Sequence, residues 1–124
     1  MLENEELTRK IIAAAVQVHS ILGPGLLESV YETCMAYELA KMGLHVVRQK
    51  DIPIKYEEVI LESGFRADLI VEGTVIVELK AIEKTAPIHE AQLMTYLRLS
   101  GLRVGLLMNF NQIRVTDNIL RRVI

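Results

Sequence analysis

The chain has 124 residues, 51% of them hydrophobic and 24% charged, with a formal charge of −2. That length supports one domain over residues 1–124 with a real core, and the composition excludes a disordered polymer. The charge excludes a global positive field strong enough to hold a polyanion, so nucleic acid would be bound weakly by this chain alone.

The first residues, Met1-Leu2-Glu3-Asn4-Glu5-Glu6, are acidic and unlike a secretion signal. Leu7, Ile11, Ala14 and Val18 recur at helical spacing, which predicts an amphipathic helix from Glu3 to Leu22. Its apolar run, Ile11 to Val16, is far too short to cross a bilayer, so no membrane partner is expected. Gly23-Pro24-Gly25 stops this helix. A second helix is predicted from Leu26 to Met42, with Leu27, Val30 and Cys34 on a buried face. Cys34 is the single cysteine, which excludes an internal disulfide and a cysteine-based zinc site and points to a cytoplasmic setting.

Val46 to Tyr56 reads as a strand in which Pro53 predicts an edge position or an irregularity. A further strand begins at Val59 to Leu61 and continues from Phe65 to Val71 after a break at Ser63-Gly64. Thr74 to Lys80 is the next strand. Pro87 leads into a helix from Ile88 to Ser100, ended by Gly101. Val104 to Met108 is a buried strand, expected to run parallel to its neighbour because a helix connects them. Ile113-Arg114-Val115 and the last residues are candidates for a short edge strand. The predicted fold is α/β: a mixed sheet flanked by helices, in the order α-α-β-β-β-α-β with an optional last strand.

Asp68, Glu78 and Lys80 interrupt otherwise apolar strands. Burying an ion costs several kcal/mol unless a partner or metal compensates it, on the order of magnitude seen for interior charges. Strand alternation puts Glu78 and Lys80 on one face, and Arg66, Asp68 and Ile70 on one face of the preceding strand, with Ala67, Leu69 and Val71 on the other. A two-residue Glu72-Gly73 turn would set Asp68 opposite Val77, away from Glu78. A three-residue loop, Val71-Glu72-Gly73, pairs Ile70 with Thr74, with Gly73 in the left-handed position. That register sets Asp68 opposite Ile76, on the face of Glu78 and one step from it, and is the one predicted. The bland alternative for the three charges is a solvated cross-strand ion cluster. Arg48, Lys50, Arg66, Lys80 and Lys84 are candidates to line one side of a cleft, each by default a solvated surface residue; His89 is a candidate to face it, with an exposed helix-start histidine the favoured reading.

Glu28 and Tyr31 lie three apart on one helix face, and Gln92 and Tyr96 four apart on another. Gly25-x-x-Glu28-x-x-Tyr31 matches the signature of the GxxExxY proteins, and the chain resembles that family over nearly its full length. The resemblance implies the PD-(D/E)XK nuclease superfamily and a restriction-endonuclease-like core. Asp68 matches its first acid, Glu78-Leu79-Lys80 its acid-x-lysine element, and Gln92-x-x-x-Tyr96 the helical motif of its helicase-associated exonuclease branch. Ala67 departs from the proline of the superfamily's name. What the resemblance implies is a Mg²⁺- or Mn²⁺-dependent nuclease acting on DNA or RNA. Asp68, Glu78, Glu28 and the Leu79 carbonyl would hold the metal, Lys80 would be catalytic, and Gln92 and Tyr96 would position substrate or brace the acids. Tyr31 is expected to be structural. The alternative is a non-catalytic module of the same fold that binds nucleic acid or protein, and a homodimer supplying further basic surface is a third reading.

Overall fold

The computed structural model describes residues 4–124, so the predicted start at Glu3 lies outside the described residues. Three helices, α1 (Glu5–Leu22), α2 (Glu28–Lys41) and α3 (Pro87–Ser100), flank five strands. These are β1 (Val46–Tyr56), β2 (Val59–Val71), β3 (Val75–Lys80), β4 (Val104–Asn109) and β5 (Ile119–Val123), with a short 3-10 helix at Val115–Asn118. The strands form one sheet in the order β1-β2-β3-β4-β5. The β1–β2, β2–β3 and β4–β5 pairs are antiparallel, and β3–β4 is parallel across the α3 crossover, as the sequence predicts. Among the described residues no helix is long and apolar enough to cross a membrane.

Each sheet face is covered by helix. Ile11, Ala14, Ala15 and Val18 of α1, with Tyr31, Met35 and Leu39 of α2, pack on Leu69, Val71, Val75, Val77, Leu79, Leu106 and Met108. Leu93 and Leu97 of α3 pack on Ile70, Ile76 and Leu107 from the other side. With helices on both faces, β3 is apolar in both directions until it reaches its charged end. Gly105 lets α3 approach: a Cβ there would lie 2.7 Å from Leu93 Cδ1.

The buried stripe of α2 is Tyr31, Met35 and Leu39 rather than Leu27, Val30 and Cys34. Leu27 precedes the helix and is 74% exposed, while Cys34 is half-buried at the core's margin. Pro53 behaves as expected: β1 is an edge strand, and its register with β2 shifts between Ile52 and Ile54. No break follows at Ser63-Gly64, because Gly64 makes room for Ile54, whose Cδ1 would lie 2.1 Å from a Cβ at that position. Ile113-Arg114-Val115 is not a strand. Ile113 is exposed, Val115 opens the 3-10 helix, and the edge strand begins at Ile119.

The β2–β3 loop has three residues, but they are Glu72-Gly73-Thr74, closed by Val71 facing Val75. Val71 is fully buried and stays in the sheet between Val46 and Val75, so the turn starts one residue later than predicted. Glu72 and Gly73 both have positive φ (54° and 64°) and the Thr74 amide donates to the Val71 carbonyl, the pattern of a tight hairpin turn. Glu72 is held in that backbone state by His45: its N–H donates to the His45 carbonyl at 2.8 Å and its carboxylate accepts the His45 N–H at 2.6 Å. The ladder runs Val71–Val75, Ile70–Ile76, Leu69–Val77. The next step therefore sets Asp68 against Glu78 itself, not against Ile76.

Candidate functional site

The β2–β3 ladder stops at Leu69–Val77, and side chains continue it. The Asp68 amide donates to Glu78 Oε2 at 2.8 Å, and the Leu79 amide donates to Asp68 Oδ2 at 2.8 Å. The two carboxylates are thus adjacent, each with one oxygen fixed by backbone and the other turned elsewhere. The strand alternation also breaks here. Ala67 packs with Ile70 and Leu93 on the α3 side, whereas Leu69 and Val71 pack with α1 and α2, so the expected shared face of Ala67, Leu69 and Val71 is not formed.

Glu78 is 5% exposed. Burial, reinforced by the negative charge of Asp68, pushes its carboxyl up to about 8, against a partial offset from the Asp68 N–H and the Lys80 ammonium. Burial likewise raises Asp68, opposed by the Leu79 N–H. Lys80, half-buried at the end of β3, acts on Glu28, Asp68 and Glu78 alike.

Glu28 comes to this place through the loop before α2. Gly25 has φ 96°, in the left-handed region suited to glycine. The Tyr31 hydroxyl donates to the Gly23 carbonyl at 2.7 Å and accepts the Leu26 N–H at 3.1 Å. Tyr31 itself is fully buried and stacked on Phe110, ring centroids 4.7 Å apart. The tyrosine staples the turn, as its expected structural role requires, and Glu28 becomes the first residue of α2. The Glu28 carboxyl is raised by burial and then by Asp68.

From the opposite helix, Tyr96 stacks on Phe65 at 3.9 Å between centroids, and its hydroxyl is raised by burial and then by the charges of Glu78 and Asp68. Gln92 lies one turn earlier on α3, half-buried. His89 takes the helix-start role favoured from the sequence: its Nδ1 accepts the Ala86 N–H at 2.8 Å and caps α3. The proposed basic wall also dissolves in part. Arg48 is bound to Glu32 and Thr33, and Arg66 to Asp51, while Lys50 and Lys84 are exposed side chains.

Two residues were missed by sequence reasoning. Glu32, one position past Tyr31, is a buried carboxylate, and Gln49 on β1 reaches both Glu32 and Asp68. Neither belongs to a spacing pattern, so no signal in the sequence marks them.

The donor set fits a hard divalent cation. Two adjoining carboxyl groups, Glu78 buried and Asp68 half-buried, have their charged forms disfavoured by burial, and hard divalent ions take a few carboxylates plus water. The arrangement is open rather than a cage: among the described residues no three acidic, imidazole or thiol groups converge as a complete ligand set. A family model described as PD-(D/E)XK nuclease superfamily matches residues 5–123. No curated protein and no solved structure gives a significant match.

Proposed function

The chain belongs to the PD-(D/E)XK nuclease superfamily, and we propose that it is a nuclease hydrolysing DNA or RNA phosphodiesters with Mg²⁺ or Mn²⁺ at Asp68 and Glu78. The observation that carries this is the meeting of those two carboxylates across the end of β2 and β3, with Lys80 two residues beyond Glu78. A divalent ion at such a site acidifies bound water and acts as a Lewis acid toward phosphorus.

In this reading Asp68 and Glu78 hold the ion through the oxygens not engaged by backbone. Glu28 adds a third acid from α2, and the Leu79 carbonyl a further oxygen by family resemblance. Lys80 orients the attacking water or stabilises charge growing on the phosphate. Gln92 and Tyr96 hold substrate phosphate or base from α3. The Gly25-x-x-Glu28-x-x-Tyr31 signature supports a place in the GxxExxY branch, since its tyrosine and glycine build the turn that delivers the glutamate.

The test is cleavage of single-stranded, duplex and branched DNA and RNA with Mg²⁺ or Mn²⁺. Activity lost in Asp68→Ala and in Lys80→Ala supports the reading; wild-type protein that cuts none of these substrates contradicts it. A second reading, a non-catalytic module of the same fold, is favoured by the formal charge of −2 and by the pairing of Arg48 with Glu32 and of Arg66 with Asp51 within the chain. It predicts metal-independent binding without cleavage.

A further inference from the structure

We propose that Gln49, held in a left-handed backbone state and anchored by Glu32, is a positioning residue that fixes the orientation of the Asp68 carboxylate. Gln49 stands opposite Asp68 between the Arg48–Leu69 and Lys50–Ala67 pairs of β1 and β2. Its φ is 50°, a region that L side chains rarely adopt and that is unusual within a strand. Strain of this kind persists only where the surroundings impose it.

What is obtained for that strain is a bridge. The Gln49 amide nitrogen donates to Glu32 Oε1 and lies 3.4 Å from Asp68 Oδ1. Glu32 is only 8% exposed, and its other oxygen accepts Arg48 Nε at 3.1 Å and an Arg48 terminal nitrogen at 3.0 Å. Arg48 in turn donates to Thr33 Oγ1 at 2.9 Å. Glu32 is therefore a buried carboxylate with its charge compensated by Arg48. The Leu79 amide holds Asp68 Oδ2, and Gln49 stands beside Oδ1 at the longer distance of 3.4 Å, which leaves that oxygen a further lone pair for a cation. The break in side-chain alternation falls at this same point, between Ala67 and Leu69.

This inference rests on the metal-site reading above. Groups that hydrogen-bond to a metal-ligating side chain and orient it typically matter about 10–100-fold in metal affinity. The experiment is calorimetric titration with MnCl₂ of wild type, Gln49→Gly and Gln49→Asn, paired with thermal melts in chelator. Glycine takes a φ of 50° without strain, and asparagine tolerates it while being one methylene too short for the bridge. The expected result is roughly ten-fold weaker Mn²⁺ binding in both variants, with melting midpoints close to wild type. Unchanged Mn²⁺ affinity in both would overturn the role of Gln49, and so would affinity lost only because both variants unfold. Absence of Mn²⁺ binding by the wild type would instead remove the metal-site reading on which the inference stands.

Discussion

Asp68 and Glu78 are joined reciprocally, the amide of Asp68 donating to Glu78 Oε2 and the amide next to Glu78 donating to Asp68 Oδ2, both at 2.8 Å. Backbone pairing at the end of β2 and β3 has been exchanged for carboxylate pairing. The paired ladder ends there while both N–H groups remain satisfied.

Glu78→Gln separates the two roles of this carboxylate. The amide oxygen can still accept the Asp68 N–H, but the buried negative charge is gone. In chelator at pH 9 the variant is expected to melt several degrees above wild type, reflecting about 1–4 kcal/mol as for other removals of buried charge. Adding Mn²⁺ should raise the wild-type melting temperature and leave the variant's unchanged. A variant less stable than wild type in chelator would contradict the account of Glu78 as a poorly compensated ion.

Stability of the metal-free protein should fall as pH rises. The Glu78 carboxyl sits near 8 folded against an ordinary value of 4.5, so between those limits the folded state holds a proton that the unfolded state has lost. The stabilisation is complete below about pH 4.5 and is lost through about pH 8. Asp68 and Glu28, also raised, act in the same direction. Urea denaturation in chelator at pH 5 and pH 8 checks this, with a lower midpoint expected at pH 8.

Tyr31→Phe removes the hydroxyl that links the Gly23 carbonyl to the Leu26 N–H while keeping the ring stacked on Phe110. The expected cost is about 1–3 kcal/mol, from two lost bonds in a partly buried turn. Because the same turn sets Glu28, Mn²⁺ affinity should weaken modestly as well. A melt and a titration on one preparation read both.

Gly105→Ala probes the seat of α3. The new Cβ would meet the fully buried Leu93 side chain at 2.7 Å, so Leu93 must repack or α3 must move outward, at a cost of about 1–3 kcal/mol for an overpacked core. Tyr96 and Gln92 ride on that helix, so cleavage should drop without loss of Mn²⁺ binding. Leu93→Ala in the same chain should recover part of the stability.

The sequence made legible what depends on periodicity and punctuation. Helix and strand order, the irregularity at Pro53, the parallel β3–β4 pair and the three-residue length of the Glu72-Gly73-Thr74 loop all follow from local rules. Its placement did not, because burial of Val71 decides where the turn begins and no local preference reports burial. The face of α2 was misjudged for the same reason: Leu27 looks apolar in the chain but precedes the helix. Asp68, Glu78 and Lys80 stood out because charges in apolar strands are conspicuous. Gln49 and Glu32 did not, since a polar residue in an edge strand and an acid on a helix are commonplace until the fold turns them inward.

Calorimetric titration of Mn²⁺ into wild type and Asp68→Asn tests the central claim most directly. The asparagine can keep the Leu79 N–H satisfied, so the fold is retained while a carboxylate is withdrawn. The account predicts saturable binding by the wild type and at least a ten-fold loss in the variant, the scale expected for removing a metal ligand or its support. Equal Mn²⁺ affinity in the two proteins, or none in the wild type, would contradict it.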